Sequence, residues 1–234
     1  MNIVLMGYSA RWFAELAQSS AYKAFLHVAD AFCDHDYDRM GVPCETFVPG
    51  ALPKALARCD AAVCMGGAEH DAALAARVAG HARVYGADPG TLLALQDHPA
   101  LFRGLARRGF RAPATLFEGR APQGNWLCKP LQGGGGVGIA RAVPGQRLPE
   151  GCCFQEELPG QSASLSFLAD GAKIMPLGFT HQLIGDAAFH APPFHYAGNI
   201  VAAIPEPARA QALDMAQYLT QSYRLRGLNC LDFL

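Results

Sequence analysis

The sequence predicts an α/β protein in two parts, and three observations carry that prediction. Over residues 1–90, short apolar runs alternate with helix-like segments closed by glycine or proline, the pattern of a small parallel sheet covered by helices. From about residue 113 onward, apolar runs follow one another through tight turns, which predicts antiparallel pairing and an α+β arrangement. Between two such runs lies Lys129-Pro130-Leu131-Gln132-Gly133-Gly134-Gly135-Gly136-Val137-Gly138, a lysine strand that enters a glycine loop and turns back as a β-hairpin. The predicted division is 1–90 and 91–234, with a hairpin subdomain over 113–157.

The elements follow in order. Residues 3–6 read as a first core strand, and Ser9 as the cap of a helix over 10–17. A second strand is expected at 25–29, then a polar loop rich in Asp30, Asp34, Asp36 and Asp38. A short helix at 52–58, a strand at 61–65, a helix at 72–79 stopped by Gly80 and a short strand at 83–85 complete the first part. Parallel sheets bind ligands at the carboxyl ends of their strands. Asp30 and Gly66-Gly67-Ala68-Glu69 fall at such ends.

In the second part, 91–110 reads as one helix with Leu101, Phe102 and Leu105 inward. The strand at 152–157 ends in Gln155, Glu156 and Glu157 and is closed by Leu158-Pro159-Gly160. Serines at 162, 164 and 166 alternate with Ala163, Leu165 and Phe167, a half-buried strand that turns at Asp170-Gly171. Pro205 and Pro207 open a long helix whose inner face is expected at Ala210, Leu213, Ala216 and Leu219. A final strand over 227–234 carries Asp232.

Composition narrows the function classes. A net charge of -1 and the lack of a basic stripe speak against nucleic acid as a partner. No apolar run approaches the ~20 residues of a membrane span. Eight scattered cysteines without a C-x-x-C pair give no zinc spacing and point to a reducing, cytoplasmic compartment. The alternating aspartates after Asp30 resemble the start of a calcium loop but lack its glycine and closing glutamate.

The glycine loop carries the chemistry. Successive backbone N–H groups freed by glycine form a nest for phosphate oxygens, and Lys129 adds a full positive charge at its mouth. The spacing Gly133, Gly135, Gly138 also satisfies a dinucleotide fingerprint, but that reading requires a helix after Gly138. Residues 139–143 read as a strand instead.

These pieces, in this order, resemble the ATP-grasp superfamily over residues 90–234. The resemblance rests on Lys129, Gly133 to Gly138, Gln155-Glu156-Glu157-Leu158-Pro159-Gly160, and Gly227 to Asp232-Phe233. It implies a Rossmann-like domain before an ATP-grasp fold, with a glycine-rich hairpin as lid. It also implies ATP and Mg²⁺ as cofactors. Lys129, Gln132, Gly133, Gly134, Gly135, Gly136 and Val137 would meet the phosphates, Gln155, Glu156, Glu157 and Leu158 the adenine, Ser162 the ribose region and Asp232 the metal. Lys129 and Asp232 would be catalytic.

Within the superfamily the sequence is similar to carboxylate–amine ligases, including tyramine–glutamate ligases of methanofuran-type cofactor synthesis. The shared elements are Asp30-x-Phe32-x-Asp34-x-Asp36, Gly66-Gly67-x-Glu69, His181-Gln182-Leu183 and Phe194-x-Tyr196-x-Gly198-Asn199. They imply Asp30, Glu69, Gln182, Tyr196 and Asn199 as substrate residues. The implied reaction joins a small-molecule carboxylate, such as glutamate, to a small amine through an acyl phosphate; a homo-oligomer is compatible with this. A catalytically impaired ATP-binding module or regulatory subunit is the alternative. His98, Ser162 and Cys230 stand where the family usually has a lysine, an acid and an arginine. The usual second metal strand would follow Leu234, so the sequence reads as a shortened form of a longer enzyme.

Overall fold

The structure, a computed structural model, describes residues 1–20, 25–67 and 70–234. It divides into two compact units, residues 1–96 and 97–234.

The first unit is built on a five-stranded parallel sheet of order β3-β2-β1-β4-β5. Its strands are β1 (Ile3–Gly7), β2 (Leu26–Asp30), β3 (Cys44–Thr46), β4 (Ala61–Cys64) and β5 (Arg83–Val84). The near-continuous apolar run of β1 suits a central strand covered on both faces. Its alternate residues feed two cores. Val4 and Met6 pack with Leu56, Leu74 and Val78, whereas Leu5 packs with Ala10, Ala14 and Tyr37.

Helices α1 (Arg11–Gln18), α2 (His35–Met40), α3 (Ala72–Ala79) and α4 (Pro89–Gln96) accompany the sheet. Two expectations change here. The N-terminal cap of α1 is Ala10, with no side-chain cap from Ser9. The acidic stretch after Asp30 is not a loop but α2. Asp34 caps it by accepting from the N–H of Asp36, and Gly41 closes it in the left-handed region.

The predicted single helix over 91–110 is two. α4 ends at Gln96, and α5 (His98–Arg107) starts afresh after Asp97, whose carboxylate accepts from the N–H of Ala100. Pro99 in the first turn of α5 has no N–H to continue the preceding helix.

The second unit holds two antiparallel sheets. The first, of order β6-β9-β7-β8, contains β6 (Thr115–Leu116), β7 (Trp126–Pro130), β8 (Ala140–Arg141) and β9 (Cys152–Glu156) around a small core of Ala121, Cys128 and Phe154. The second, of order β12-β11-β10-β13, contains β10 (Ala163–Asp170), β11 (Ile174–Ile184), β12 (Tyr196–Val201) and β13 (Arg226–Phe233). β13 pairs with β10 and lies at the edge of this sheet.

Helix α6 (Glu206–Tyr223) packs on that sheet. Its buried residues are Ala212, Ala216 and Thr220, spaced four apart, and Ala210 of the expected face is exposed. They accompany the buried Ala163, Leu165 and Phe167 of β10. Residues 139–143 yield only the short strand β8 and no helix follows Gly138, so the dinucleotide reading fails on geometry.

Candidate active site

The site is built on the second unit. β7 and β8 pair antiparallel, Leu127 opposite Arg141 and Cys128 opposite Ala140, so residues 131–139 form the tip of a hairpin. Lys129 is half-buried on β7. Its Nζ donates to Gln155 Oε1 at 2.8 Å, and Gln155 Nε2 donates to Thr115 Oγ1 at 3.1 Å. The lysine and the first residue of the expected adenine segment are therefore tied to each other across the sheet. The stem of the loop is held at Leu131. Its N–H donates to Gly151 C=O, and its C=O lies 3.1 Å from His98 Nε2. A carbonyl only accepts, so that histidine nitrogen carries the hydrogen. His98 thus supports the loop from the start of α5.

The glycine loop is docked. The N–H of Tyr196 donates to Gly135 C=O at 3.0 Å. Gly136 has φ +77°, and a Cβ there would collide with the Phe194 carbonyl oxygen. Phe194 itself takes φ +68°, a conformation that bulky residues rarely adopt. Arg141 closes the arrangement from β8. Its Nε and Nη2 make a two-pronged pair with the Glu157 carboxylate at 3.1 and 2.9 Å, and its guanidinium lies 5.7 Å from the Phe194 ring centre. The hydrogen bond and charge of Arg141 hold the Glu157 carboxyl below its ordinary pKa.

The expected adenine segment is partly committed. Glu156 N–H donates to Ala114 C=O and Glu157 N–H to Asn125 C=O, both at 2.9 Å. These two donors are engaged by the sheet, because residue 156 is still a strand residue and residue 157 crosses back toward the start of β7. Glu156 and Leu158 are exposed.

One face of the second sheet collects polar groups by register. Thr180 sits opposite Ser164, and Ser164 opposite Asp232; the next row of this face places Gly178, Ser166 and Cys230 side by side. Gln182 stands opposite Asn199 on β12, and its N–H donates to Ser162 C=O at 2.9 Å. Gln182 Nε2 donates to Asp232 Oδ1 at 2.9 Å, and Ser166 Oγ lies 3.3 Å from Cys230 Sγ. Burial, with the nearby Asp232 and Cys230 adding to it, raises the Tyr196 hydroxyl pKa. Of the residues expected to meet substrate, Gln182 and Tyr196 thus stand near Asp232, and Asn199 lies opposite Gln182 on β12.

Asp232 is exposed and oriented by Gln182, and among the described residues no group of three or more His, Cys, Asp or Glu is arranged to hold a metal. The donor chemistry fits Mg²⁺, which takes one or two protein carboxylates and completes its shell with phosphates and water. It does not make a cage.

Asp30 behaves differently. It is buried in the first unit, where Oδ2 accepts from Ala10 N–H at 2.6 Å and Tyr37 OH at 2.7 Å, and Oδ1 accepts from Phe32 and Cys33 N–H at 2.8 and 3.2 Å. Burial alone would raise its pKa, but the four hydrogen bonds outweigh it and hold the carboxyl below the ordinary value. Both oxygens are engaged within the fold. Asp34 and Asp36 pair with Arg11 at 3.0 and 2.9 Å. Glu69 lies outside the described residues.

Two contributors were not expected from sequence, Arg141 and Thr115. Arg141 and Glu157 are 16 residues apart and meet only through the strand order, so no local signal marks them.

A sequence model of the ATP-grasp domain matches residues 95–234. The chain belongs to the ATP-grasp family. Solved structures agree in fold. A protein from Archaeoglobus fulgidus described as belonging to the ATP-grasp superfamily is similar, with 17% identity and a TM-score of 0.70 over 99% of this chain and 76% of its own. Biotin carboxylase from Campylobacter jejuni gives 13% identity and a TM-score of 0.71 over 99% of this chain. D-alanine–D-alanine ligase from Bacillus anthracis gives 12% and 0.60, covering 99% of this chain and 82% of its own. The chain spans 61% of the length of that biotin carboxylase. No curated protein matches the sequence.

Proposed function

We propose that this ATP-grasp protein is an ATP-dependent carboxylate–amine ligase. One observation carries the reading. The lysine hairpin docks, through Tyr196 N–H to Gly135 C=O, on the sheet that carries Gln182 and Asp232. A glycine loop that would serve as a phosphate nest and a carboxylate-bearing polar face thereby lie in one compact unit.

In the proposed reaction a substrate carboxylate oxygen attacks the γ-phosphorus of ATP, and ADP leaves. The amine then attacks the acyl carbon, inorganic phosphate leaves with the C–O electron pair, and the amine loses a proton. Such transfers depend on positioning and charge neutralisation more than on covalent help from the protein. Lys129 and the N–H groups of 132–138 other than that of Val137, which already donates to Gly134 C=O, would hold phosphate oxygens, with His98 steadying the loop stem. An incoming purine would find Leu158 and strand carbonyls, since the 156 and 157 N–H groups are engaged. Ser162 would border the ribose. Asp232 would hold Mg²⁺, which when bound neutralises phosphate charge. Gln182, Tyr196 and Asn199 would border the acceptor.

The finer reading, glutamate joined to a small amine such as tyramine, rests on the short sequence elements around Gln182 and Tyr196. The eight free thiols support a reducing, cytoplasmic setting. A nucleotide-binding module without turnover is the rival, favoured by the lack, among the described residues, of any group of three or more metal-ligating side chains. The two are separated by measuring ADP release with glutamate and amines added together. Lys129→Ala tests the site itself. We expect it to weaken ATP at least tenfold and adenosine less than twofold, by calorimetry; equal losses for both would refute a phosphate role for the lysine.

A further inference from the structure

The contacts around the docked loop form a continuous chain. Glu157 belongs to the expected adenine segment and lies one residue past β9. Arg141 binds it with two prongs and lies over the Phe194 ring. Phe194 offers its carbonyl to the space that only glycine leaves at 136, and two residues on, Tyr196 binds Gly135 and stands near Asp232 and Cys230. A bidentate arginine–carboxylate pair has a preferred geometry that a single-point ammonium contact lacks. Arg141 is 73% exposed and Glu157 25%. An exposed pair of this kind contributes little to global stability, so its geometry matters more than its strength.

We propose that Arg141 and Phe194 are positioning residues that form a latch between the nucleotide lid and the acceptor loop 192–196, so that nucleotide binding orders the acceptor pocket around Tyr196. This rests on the ATP reading above and goes beyond it by naming the coupling and its two residues. Neither residue touches the reacting atoms. The glycine loop alone closes over phosphates; the latch transmits that closure to Phe194 and, through two peptide units, to the Tyr196 contact. Binding of nucleotide and acceptor is then mutually reinforcing, since coupling between two sites is reciprocal.

The test is hydrogen exchange by mass spectrometry on the full chain, with and without a non-hydrolysable ATP analogue at saturating concentration. In the wild type, exchange should slow together in 132–138 and in 192–197. In Arg141→Leu and in Phe194→Leu, exchange should still slow in 132–138, and 192–197 should no longer respond. Affinity for the analogue should fall three- to tenfold in each, and the double variant should be no weaker than the weaker single, as coupled residues are not additive. Phe194→Tyr keeps the ring and should restore the response. Arg141→Lys, which keeps the charge without the fork, gives the same loss should Arg141→Leu fold poorly. A wild type that binds the analogue with 192–197 unmoved overturns the latch and leaves the ATP reading standing, as does an unchanged response in both variants. A wild type that binds no analogue overturns the ATP reading and the latch together.

Discussion

Gly136→Ala is the sharpest test of loop docking, because the backbone and the neighbour object to it separately. Gly136 lies at φ +77°, where an L-residue costs roughly 1–2 kcal/mol. Its added methyl would also collide with the Phe194 carbonyl oxygen, which is backbone and cannot swing aside. Relief requires the loop to lift, which breaks the Tyr196 N–H to Gly135 hydrogen bond, worth about 1 kcal/mol. The docked state should therefore lose about 2–3 kcal/mol, or about 30- to 150-fold in its population. Gly134→Ala is the internal control, since its φ is not positive and nothing lies within 4 Å of a Cβ there. Calorimetry with ATP and with adenosine reads the difference. We expect Gly136→Ala to weaken ATP by that factor with adenosine held within twofold, and Gly134→Ala to weaken ATP less than threefold. Equal ATP affinity in the two variants would refute the argument that the docked loop is the binding-competent one.

Two further outcomes concern stability. Asp30→Asn keeps one acceptor but turns an NH₂ toward backbone and tyrosine donors in a buried site, so it should cost about 3 kcal/mol at pH 7 in urea melts of the first unit. The sign with pH follows from the lowered native pKa: the carboxylate's contribution is full above its ordinary value near 3.8 and is lost as pH falls through the lower native value. Wild type and variant should converge in strong acid, and a variant within 1 kcal/mol of wild type at pH 7 would contradict the four-bond account. Thr220 is fully buried on α6 with an unpartnered hydroxyl, so Thr220→Val should be neutral or stabilising by up to about 1 kcal/mol; a loss above 1 kcal/mol in thermal melts would show that the hydroxyl has a partner.

The strands were legible where the pattern was strong. β1 is an uninterrupted apolar run, and β10 alternates serine with apolar residues; both fold as their period demands. Helices were less so at their ends. The apolar pattern carries through Asp97 as if through one helix, yet a capping carboxylate followed by Pro99 is a start signal for a second. The acidic stretch 34–38 has no apolar stripe to announce α2. That helix depends on the Asp34 cap, on Arg11 reaching from α1, and on Tyr37 buried against Asp30. The cap is local, but the Arg11 contact joins residues 23 apart and is a tertiary fact that no short window of the sequence contains.

The same limit separates Asp30 from Asp232. Each is a carboxylate at or near a strand end, in a position where ligands are commonly bound, and sequence gives both the same prior. What distinguishes them is the donors that the rest of the chain brings. Asp30 meets an amide from α1, a hydroxyl from α2 and two amides of its own turn, and its charge is spent inside the first unit. Asp232 meets one amide side chain from β11 and is otherwise exposed. A carboxylate that already accepts four hydrogen bonds cannot bind a cation or an ammonium group without first giving some of them up, whereas one held by a single neutral donor is oriented and still has capacity. The glycine loop follows the same logic in reverse. Its composition was legible because glycine is rare in such runs. Its docking partner was not, because the space that Gly136 leaves open is filled by a residue 58 positions away.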